Sequence, residues 1–290
     1  MNLSVGMERG LVDKVRSTMK QFAPAKINLY LHILGKRSDG FHELETLMAP
    51  ISLGDDIEIE EASPGIQFTC SEEKLSDPRG NLACRAAELF LAEHKIKGGV
   101  RIHLEKRVPV GAGLGGGSSD GAAVLLALRE LFKVKTNDAQ LGALAAKLGS
   151  DIPFFICREA ALCKGRGEIV EPIALKEKYH GLLVHPGFGV PTPWAYQTYA
   201  KNPGRGVEGK KLKDGFALRN DLEPAAFSKY LWLPTAKKWF QQQPEVYDSM
   251  MSGSGSAIFA LVRDSNHVCS LQKRFHEQFG AELFSSPFQI

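Results

Sequence analysis

The sequence predicts helices combined with antiparallel sheet, divided between two domains. Length sets the domain count, because 290 residues, 43% of them hydrophobic and 24% charged, are more than one core usually organises. Alternation sets the sheet type: Val100, Ile102 and Leu104 interleave with Arg101, His103 and Glu105, the one-face-wet pattern of an antiparallel sheet. Helix signals recur between the strands, each opened by a cap-type residue.

The elements follow in order. After a loosely attached start over 1–20, Ala25, Ile27, Leu29, Leu31 and Ile33 alternate with Lys26, Asn28, Tyr30 and His32, the clearest strand in the chain. Alternation puts those four polar residues on one face, which either lines a polar site or shows water a solvated side. Ser38-Asp39-Gly40 turns the chain into Phe41-His42-Glu43-Leu44, and strand patterns at Ile57 and Ile59 and at Ile66, Phe68 and Cys70 imply hairpins. Asn81 opens a helix carrying Leu82, Ala86, Leu89 and Phe90, closed by Gly98 and Gly99. Thr136 and Asn137 start another, with Gly149 in the stop position, and Asp151, two residues before Pro153, reads most simply as a helix cap.

A hairpin spans 160–169, turning at Gly165-Arg166-Gly167, and the polar stretch 172–178 holds the domain boundary, giving domains of 21–175 and 176–290. The second half opens with a strand at 181–185 and a Pro191-Thr192-Pro193 elbow before a helix bearing Trp194, Tyr196 and Tyr199. A basic, glycine-containing stretch, 201–215, reads as a mobile loop. Helices are expected at 221–230, 235–242 and 267–279, with a second glycine loop at 252–256 leading into a strand at 257–262.

The centre of the chain is the run 108–123, Val-Pro-Val-Gly-Ala-Gly-Leu-Gly-Gly-Gly-Ser-Ser-Asp-Gly-Ala-Ala. Glycines let main-chain amides approach a ligand, and a helix start adds unpaired N–H groups and a positive dipole end, so the natural guest is phosphate. Gly111, Gly113 and Gly116 satisfy the dinucleotide spacing, but such a loop should follow a strand buried on both faces, which 100–105 is not. Gly117 stands where a Walker loop needs lysine. A flexible linker has no reason to continue into Ala122, Ala123, Leu125, Leu126, Leu128 and Leu131, with Ser118, Ser119 and Asp120 as cap-type residues.

Bulk properties exclude several classes. A net charge of +3 with dispersed basic residues gives no footprint for nucleic acid. Cysteines 70, 84, 157, 163 and 269 lack any Cys-x-x-Cys spacing, so neither a disulfide framework nor a zinc site is indicated, and a cytoplasmic protein is expected. No apolar run suits a signal peptide or a membrane span, so neither export nor membrane insertion is expected.

Taken together, Pro24-Ala25-Lys26-Ile27-Asn28-Leu29, the loop 109–119, Leu148-Gly149-Ser150-Asp151-Ile152-Pro153 and Met251-Ser252-Gly253-Ser254-Gly255 resemble the signature set of the GHMP small-molecule kinases. The resemblance runs from about 22 to about 263 and is nearest to the branch whose acceptor is diphosphocytidyl methylerythritol, because Lys-x-Asn lies on the first strand and Asp39-Gly40-Phe41-His42 follows. It implies an α+β fold, with an amino-terminal nucleotide domain and a carboxy-terminal ferredoxin-like domain flanking the active site. It also implies transfer of the γ-phosphoryl of ATP to the 2-hydroxyl of that cytidine diphosphate alcohol, in the non-mevalonate route to isoprenoids.

By the same resemblance Asp151 draws the proton from the acceptor hydroxyl, and Lys26, on the polar strand face, keeps it ionised; the two side chains are expected to meet. Pro109, Val110, Gly111, Ala112, Gly113, Leu114, Gly115, Gly116, Gly117, Ser118 and Ser119 would cradle ATP. Asn81 and Lys106 would lie near its base, although a helix cap and a solvated lysine are the simpler readings of those two. Asn28 and Thr192 would hold the acceptor, His42 would bond the cytosine edge, and Phe41 and Tyr196 would sandwich the ring. Magnesium would neutralise the triphosphate, with Ser119 as a ligand. Departures from the usual family residues are Phe41 for tyrosine, Ala112 for glycine and Gly121 for alanine. Two rivals stay open: a GHMP kinase for homoserine, mevalonate or a sugar, and a nucleotide-binding regulator without catalysis.

Overall fold

The structure, a computed structural model, describes residues 18–204, 206 and 208–290. The first half runs β1 (Thr18–Lys36), β2 (His42–Ala62), β3 (Gly65–Cys70), α1 (Leu82–Glu93), β4 (Gly99–Glu105), α2 (Gly116–Leu131), α3 (Asp138–Ala146), α4 (Ile152–Cys157), β5 (Ala161–Gly165) and β6 (Ile169–Pro172). The second runs β7 (His180–His185), α5 (Thr192–Lys201), β8 (Arg219–Asn220), α6 (Glu223–Phe227), α7 (Trp232–Gln241), β9 (Val246–Met251), β10 (Ile258–Val262), α8 (Val268–Phe279) and β11 (Phe284–Gln289). The expected loose start lies outside the described residues except for 18–20, which are paired strand.

The first sheet has the order β3-β4-β2-β1-β8, with β5 and β6 continuing from one end of β2. Its pairs are antiparallel except β3 with β4 and β1 with β8. On β4, Val100, Ile102 and Leu104 are fully buried while Arg101, His103 and Glu105 are exposed, as the alternation predicts. The second sheet is antiparallel with the order β11-β7-β10-β9, the βαββαβ topology of a ferredoxin-like domain. Fold class is therefore α+β in two parts, as expected.

Three cores result. One packs α1 to α4 on the first sheet, through residues such as Phe90, Ile102, Leu125 and Phe154. A second fills the space between the sheets, joining Ile27, Leu29 and Leu47 to Leu183, Phe259 and Phe288. The third covers the far face of the second sheet with the later helices. The halves are also joined by backbone, since Arg219–Asn220 leaves the second half to pair with Tyr30 and Leu31 of β1.

Strand β1 corrects one expectation. Register shifts against β2 occur between Asn28 and Tyr30, and a bulge there reverses the facing of the residues that follow. Lys26 and Asn28 consequently border the same cleft as Leu31, while Tyr30 and His32 turn to Phe216, Arg219 and Asp221. The stretch 201–215 is also not loose among its described residues: Gly206 N donates to Asp221 Oδ1, Gly209 N to Leu218 O and Lys210 N to Asp248 Oδ2, and Leu212 is buried. Helix α1 stops at Glu93, before Gly98, and Gly99 belongs to β4.

Candidate active site

A cleft of about 880 Å3 is lined by β1, the 40–42 turn, the 108–118 loop, the residues before α4, the start of α5 and the second glycine loop. Every residue expected at the site borders it except Ser119.

The loop is anchored from both sides. Lys26 N donates to Leu114 O at 2.9 Å, and Ala257 N to Ala112 O at 3.0 Å. Helix α2 starts earlier than its serines suggest: Gly115, in the left-handed conformation, is the cap, and Ser119 N bonds Gly115 O at 2.9 Å. Ser118, Ser119 and Asp120 are thus the third to fifth residues of the helix rather than its cap. Ser118 and Asp120 border the cleft, whereas Ser119 borders a separate cavity of about 300 Å3 with Phe22, Leu126 and Phe155. Both Ser119 Oγ and Asp120 Oδ1 are buried without a protein hydrogen-bond partner.

Lys26 is 4% exposed, so its half of the polar strand face is not solvated. Its ammonium donates to Asn28 Oδ1 at 2.5 Å and to Gly113 O at 2.7 Å. Asn28 is itself oriented, because its Nδ2 donates to Thr46 Oγ1 at 2.8 Å and that hydroxyl to Tyr30 O at 2.6 Å. Burial holds the Lys26 pKa below the usual lysine value, and the Asp151 charge opposes the shift. The expected meeting of the two side chains is therefore not made: the Asp151 charge acts on Lys26 without an ion pair, and the direct partners of the ammonium are Asn28 and Gly113. Asp151 stands at the cap position of α4, yet its side chain makes no capping bond, which leaves the carboxylate free for other work.

Lys106 is not a solvated lysine. Its ammonium is buried between Asp55 Oδ2 and Asp120 Oδ2, the latter at 2.8 Å. Asp55 Oδ1 accepts from Arg107 N at 2.6 Å and Val108 N at 2.8 Å, so the cluster ties the entry of the loop to the amino-terminal part of α2. Burial disfavours the Lys106 charge, but the two carboxylates outweigh it and raise its pKa. Burial also pushes the Asp120 carboxyl up to about 7, against the pull of Lys106. Asn81 combines its two readings: Oδ1 accepts from Ala83 N at 2.9 Å to cap α1, and the residue borders the cleft.

At the other end, Tyr196 stacks on His42, with ring centroids 5.1 Å apart and planes 26° off parallel. Phe41, 52% exposed, carries the Arg166 guanidinium 4.8 Å from its ring centre, so the ring that stacks directly on Tyr196 is that of His42. Burial and Lys36 lower the His42 pKa. Burial, then the charge of Asp151, raises that of Tyr196. Thr192 Oγ1 lies 2.8 Å from Ser254 Oγ, joining α5 to the second glycine loop. The sequence reading misses Arg166 and Lys36, two cations on the cleft wall; Arg166 sits between turn glycines and reads as turn chemistry alone, and Lys36 ends a strand and reads as a solvated lysine.

Comparison with known proteins gives concordant matches. The GHMP kinases N terminal domain matches 81–159, and the GHMP kinases C terminal domain matches 209–281. A 4-diphosphocytidyl-2-C-methyl-D-erythritol kinase of Methylacidiphilum infernorum (isolate V4) is 53% identical over 248 residues, covering 84% of this chain and 86% of that protein. One from Geobacter sp. (strain M21) is 38% identical over 255 residues, covering 86% and 91%. A crystal structure of 4-(cytidine 5'-diphospho)-2C-methyl-D-erythritol kinase superposes with a TM-score of 0.78 at 38% identity, covering 93% of this chain and 98% of that one. Homoserine kinase from Cytophaga hutchinsonii, at 18% identity and a TM-score of 0.67 over 99% and 96% of the chains, shares the fold.

Proposed function

This chain belongs to the GHMP kinases and, within them, to the 4-diphosphocytidyl-2-C-methyl-D-erythritol kinases, and we propose from that premise how its cleft divides the work. The protein is an ATP-dependent kinase that phosphorylates 4-diphosphocytidyl-2-C-methyl-D-erythritol in isoprenoid biosynthesis, giving the 2-phosphate and ADP. The nucleotide belongs to the 21–175 half, and the acceptor lies between it and Thr192 and Tyr196 of the 176–290 half.

Phosphoryl transfer needs positioning and charge stabilisation more than covalent chemistry from the protein. The 109–118 main chain cradles the triphosphate, helped by the α2 dipole, and Asn81 and Lys106 flank the base end. Asp151 accepts the proton of the acceptor hydroxyl. Lys26, held by Asn28 and Gly113, faces that carboxylate and the transferring phosphoryl oxygens, offsetting their negative charge. Asn28, Phe41, His42, Thr192 and Tyr196 hold the cytidine diphosphate alcohol, and Arg166 and Lys36 suit its diphosphate.

Magnesium would neutralise the nucleotide phosphates. Among the described residues no cluster of acidic, His or Cys side chains could hold a metal alone, which suits a cation carried mainly by phosphate oxygens. Asp120 Oδ1, buried and partnerless, borders the cleft and fits as a protein ligand, whereas Ser119 Oγ, also partnerless, belongs to a residue that borders the separate cavity beside Phe22 and does not fit. All five cysteines are free, which suits a reducing cytoplasm, and no helix among the described residues is long and apolar enough to cross a membrane.

What supports this division of labour is one observation: the Lys26 ammonium, the Asp151 carboxylate, the glycine loop and the His42 to Tyr196 ring pair border one cleft. A coupled ADP-release assay tests it. Asp151→Asn and Lys26→Met should each lower kcat by about 100-fold or more with the diphosphocytidyl acceptor, while homoserine and mevalonate give no turnover in the parent. Full activity in either variant would refute its role.

A further inference from the structure

We infer that Asn220 is a positioning residue for the Lys26 ammonium, acting through the second glycine loop. The inference rests on Lys26 acting in the transfer, as proposed above. Asn220 is fully buried in β8, where its backbone pairs with Leu31 of the strand that carries Lys26. Its Nδ2 donates to the carbonyl oxygens of Met251 and Gly253, each at 2.8 Å, and its Oδ1 accepts from Leu222 N at 2.9 Å. Both amide hydrogens are committed, one to the last residue of β9 and the other to the turn that follows it.

That turn has no slack towards the site. Gly253 has φ +56, and a Cβ on it would lie 3.0 Å from Gly113 O, 3.1 Å from Lys26 Nζ and 3.4 Å from Asn28 Oδ1. Those three atoms are the lysine nitrogen and the two oxygens that accept from it. Ser252 Oγ, one residue earlier, also donates to Gly113 O, at 3.1 Å. The neighbouring Glu223 holds a different point, since its Oε1 accepts from Met251 N at 2.9 Å, inside the strand rather than in the turn. Asn220 thus links the sheet that carries Lys26 to the loop that faces its ammonium.

Without the amide, two buried carbonyl oxygens lose their donor and the turn is free to settle elsewhere, giving the ammonium a different set of acceptors. Asn220 does not border the cleft, so binding of either substrate in the ground state is not its province. The loss should fall on kcat.

The experiment measures kcat and both KM values for Asn220→Ala, Asn220→Asp and Gly253→Ala, and repeats Asn220→Ala in a Lys26→Met background. Asn220→Ala and the isosteric Asn220→Asp, which turns an acceptor towards two carbonyls, are expected to lower kcat about 10–100-fold with both KM values within about threefold. Gly253→Ala crowds the ammonium from the other side and should do the same with Asn220 intact, so it decides the matter if Asn220→Ala does not fold. In the Lys26→Met background, Asn220→Ala should leave the residual rate unchanged. Parental kcat in Asn220→Ala or Gly253→Ala, or a loss that multiplies with that of Lys26→Met, would overturn the link. Parental kcat in Lys26→Met alone would instead remove the catalytic role of Lys26, and the inference with it.

Discussion

The carbonyl oxygen of Ser252 lies 2.3 Å from where a Cβ on Gly113 would stand, so the two glycine loops meet backbone against backbone. Gly113 has φ +77, and Gly255 N and O would each lie 3.0 Å from the same Cβ. Only glycine meets both the conformational and the steric demand.

Gly113→Ala should therefore push the loops apart and lower kcat/KM for ATP about 100-fold or more, read by ADP release. Gly142 in α3 is the control, since a Cβ there meets nothing within 4 Å, and Gly142→Ala should raise stability by up to about 1 kcal/mol with parental activity. Equal behaviour of the two variants would show that the loops do not brace each other.

Lys106→Met strands two buried carboxylates, Asp55 and Asp120, that now share one ammonium. Removing one partner of a buried ion cluster costs up to about 3–5 kcal/mol, and the loss read by urea unfolding should grow from about pH 6 to about pH 9, because the Asp120 carboxyl, already up to about 7 in the parent, escapes the penalty at low pH by taking up a proton. Adding Asp120→Asn to Lys106→Met, which removes one of the stranded charges, should restore part of it.

The buried Lys26 gives stability a pH dependence of known sign. Its folded pKa lies below the unfolded value of 10.5, so between the two the unfolded chain holds the extra proton. The burden of the buried charge is full below the folded pKa and is relieved as pH rises through it towards 10.5. Lys26→Met has no such proton. Melting temperatures measured from pH 7 to about 10 should shift in favour of the parent relative to Lys26→Met as pH rises, and parallel curves would contradict the burial of a charged amine.

Thiol labelling reads the cores directly. Burial pushes Cys84 and Cys163 each up to about 12, the Asp151 charge adding to the effect on Cys163, whereas Cys269 is exposed. A thiol-exchange reagent at pH 8 should modify Cys269 first and reach Cys84 and Cys163 only as the chain unfolds. Early modification of Cys163 would mean that the wall behind Lys26 opens in the native state.

Much of the fold is legible where a signal is local. The alternation of β4 and the caps Asn81 and Asn137 sit within a few positions of what they specify. What escapes is set at a distance. The bulge after Asn28 arises from pairing with β2, Lys106 finds its carboxylates 51 and 14 positions away, and β8 is only two residues long. Strands β9 and β11 carry mixed polar and apolar residues with no clean period, so periodicity does not announce them. The cleft residues come from the resemblance to a kinase family rather than from spacing, which is why Asn220, outside those four motifs, goes unnoticed.

The short strand that the second half lends to the first sheet makes the molecule interlocked rather than jointed. With Arg219–Asn220 paired to β1 and a shared apolar layer between the sheets, the halves are joined at more than the segment 172–178, whose own Ile173 and Leu175 pack against that layer. The 40–42 turn and the first turn of α5 border the cleft without belonging to that shared layer.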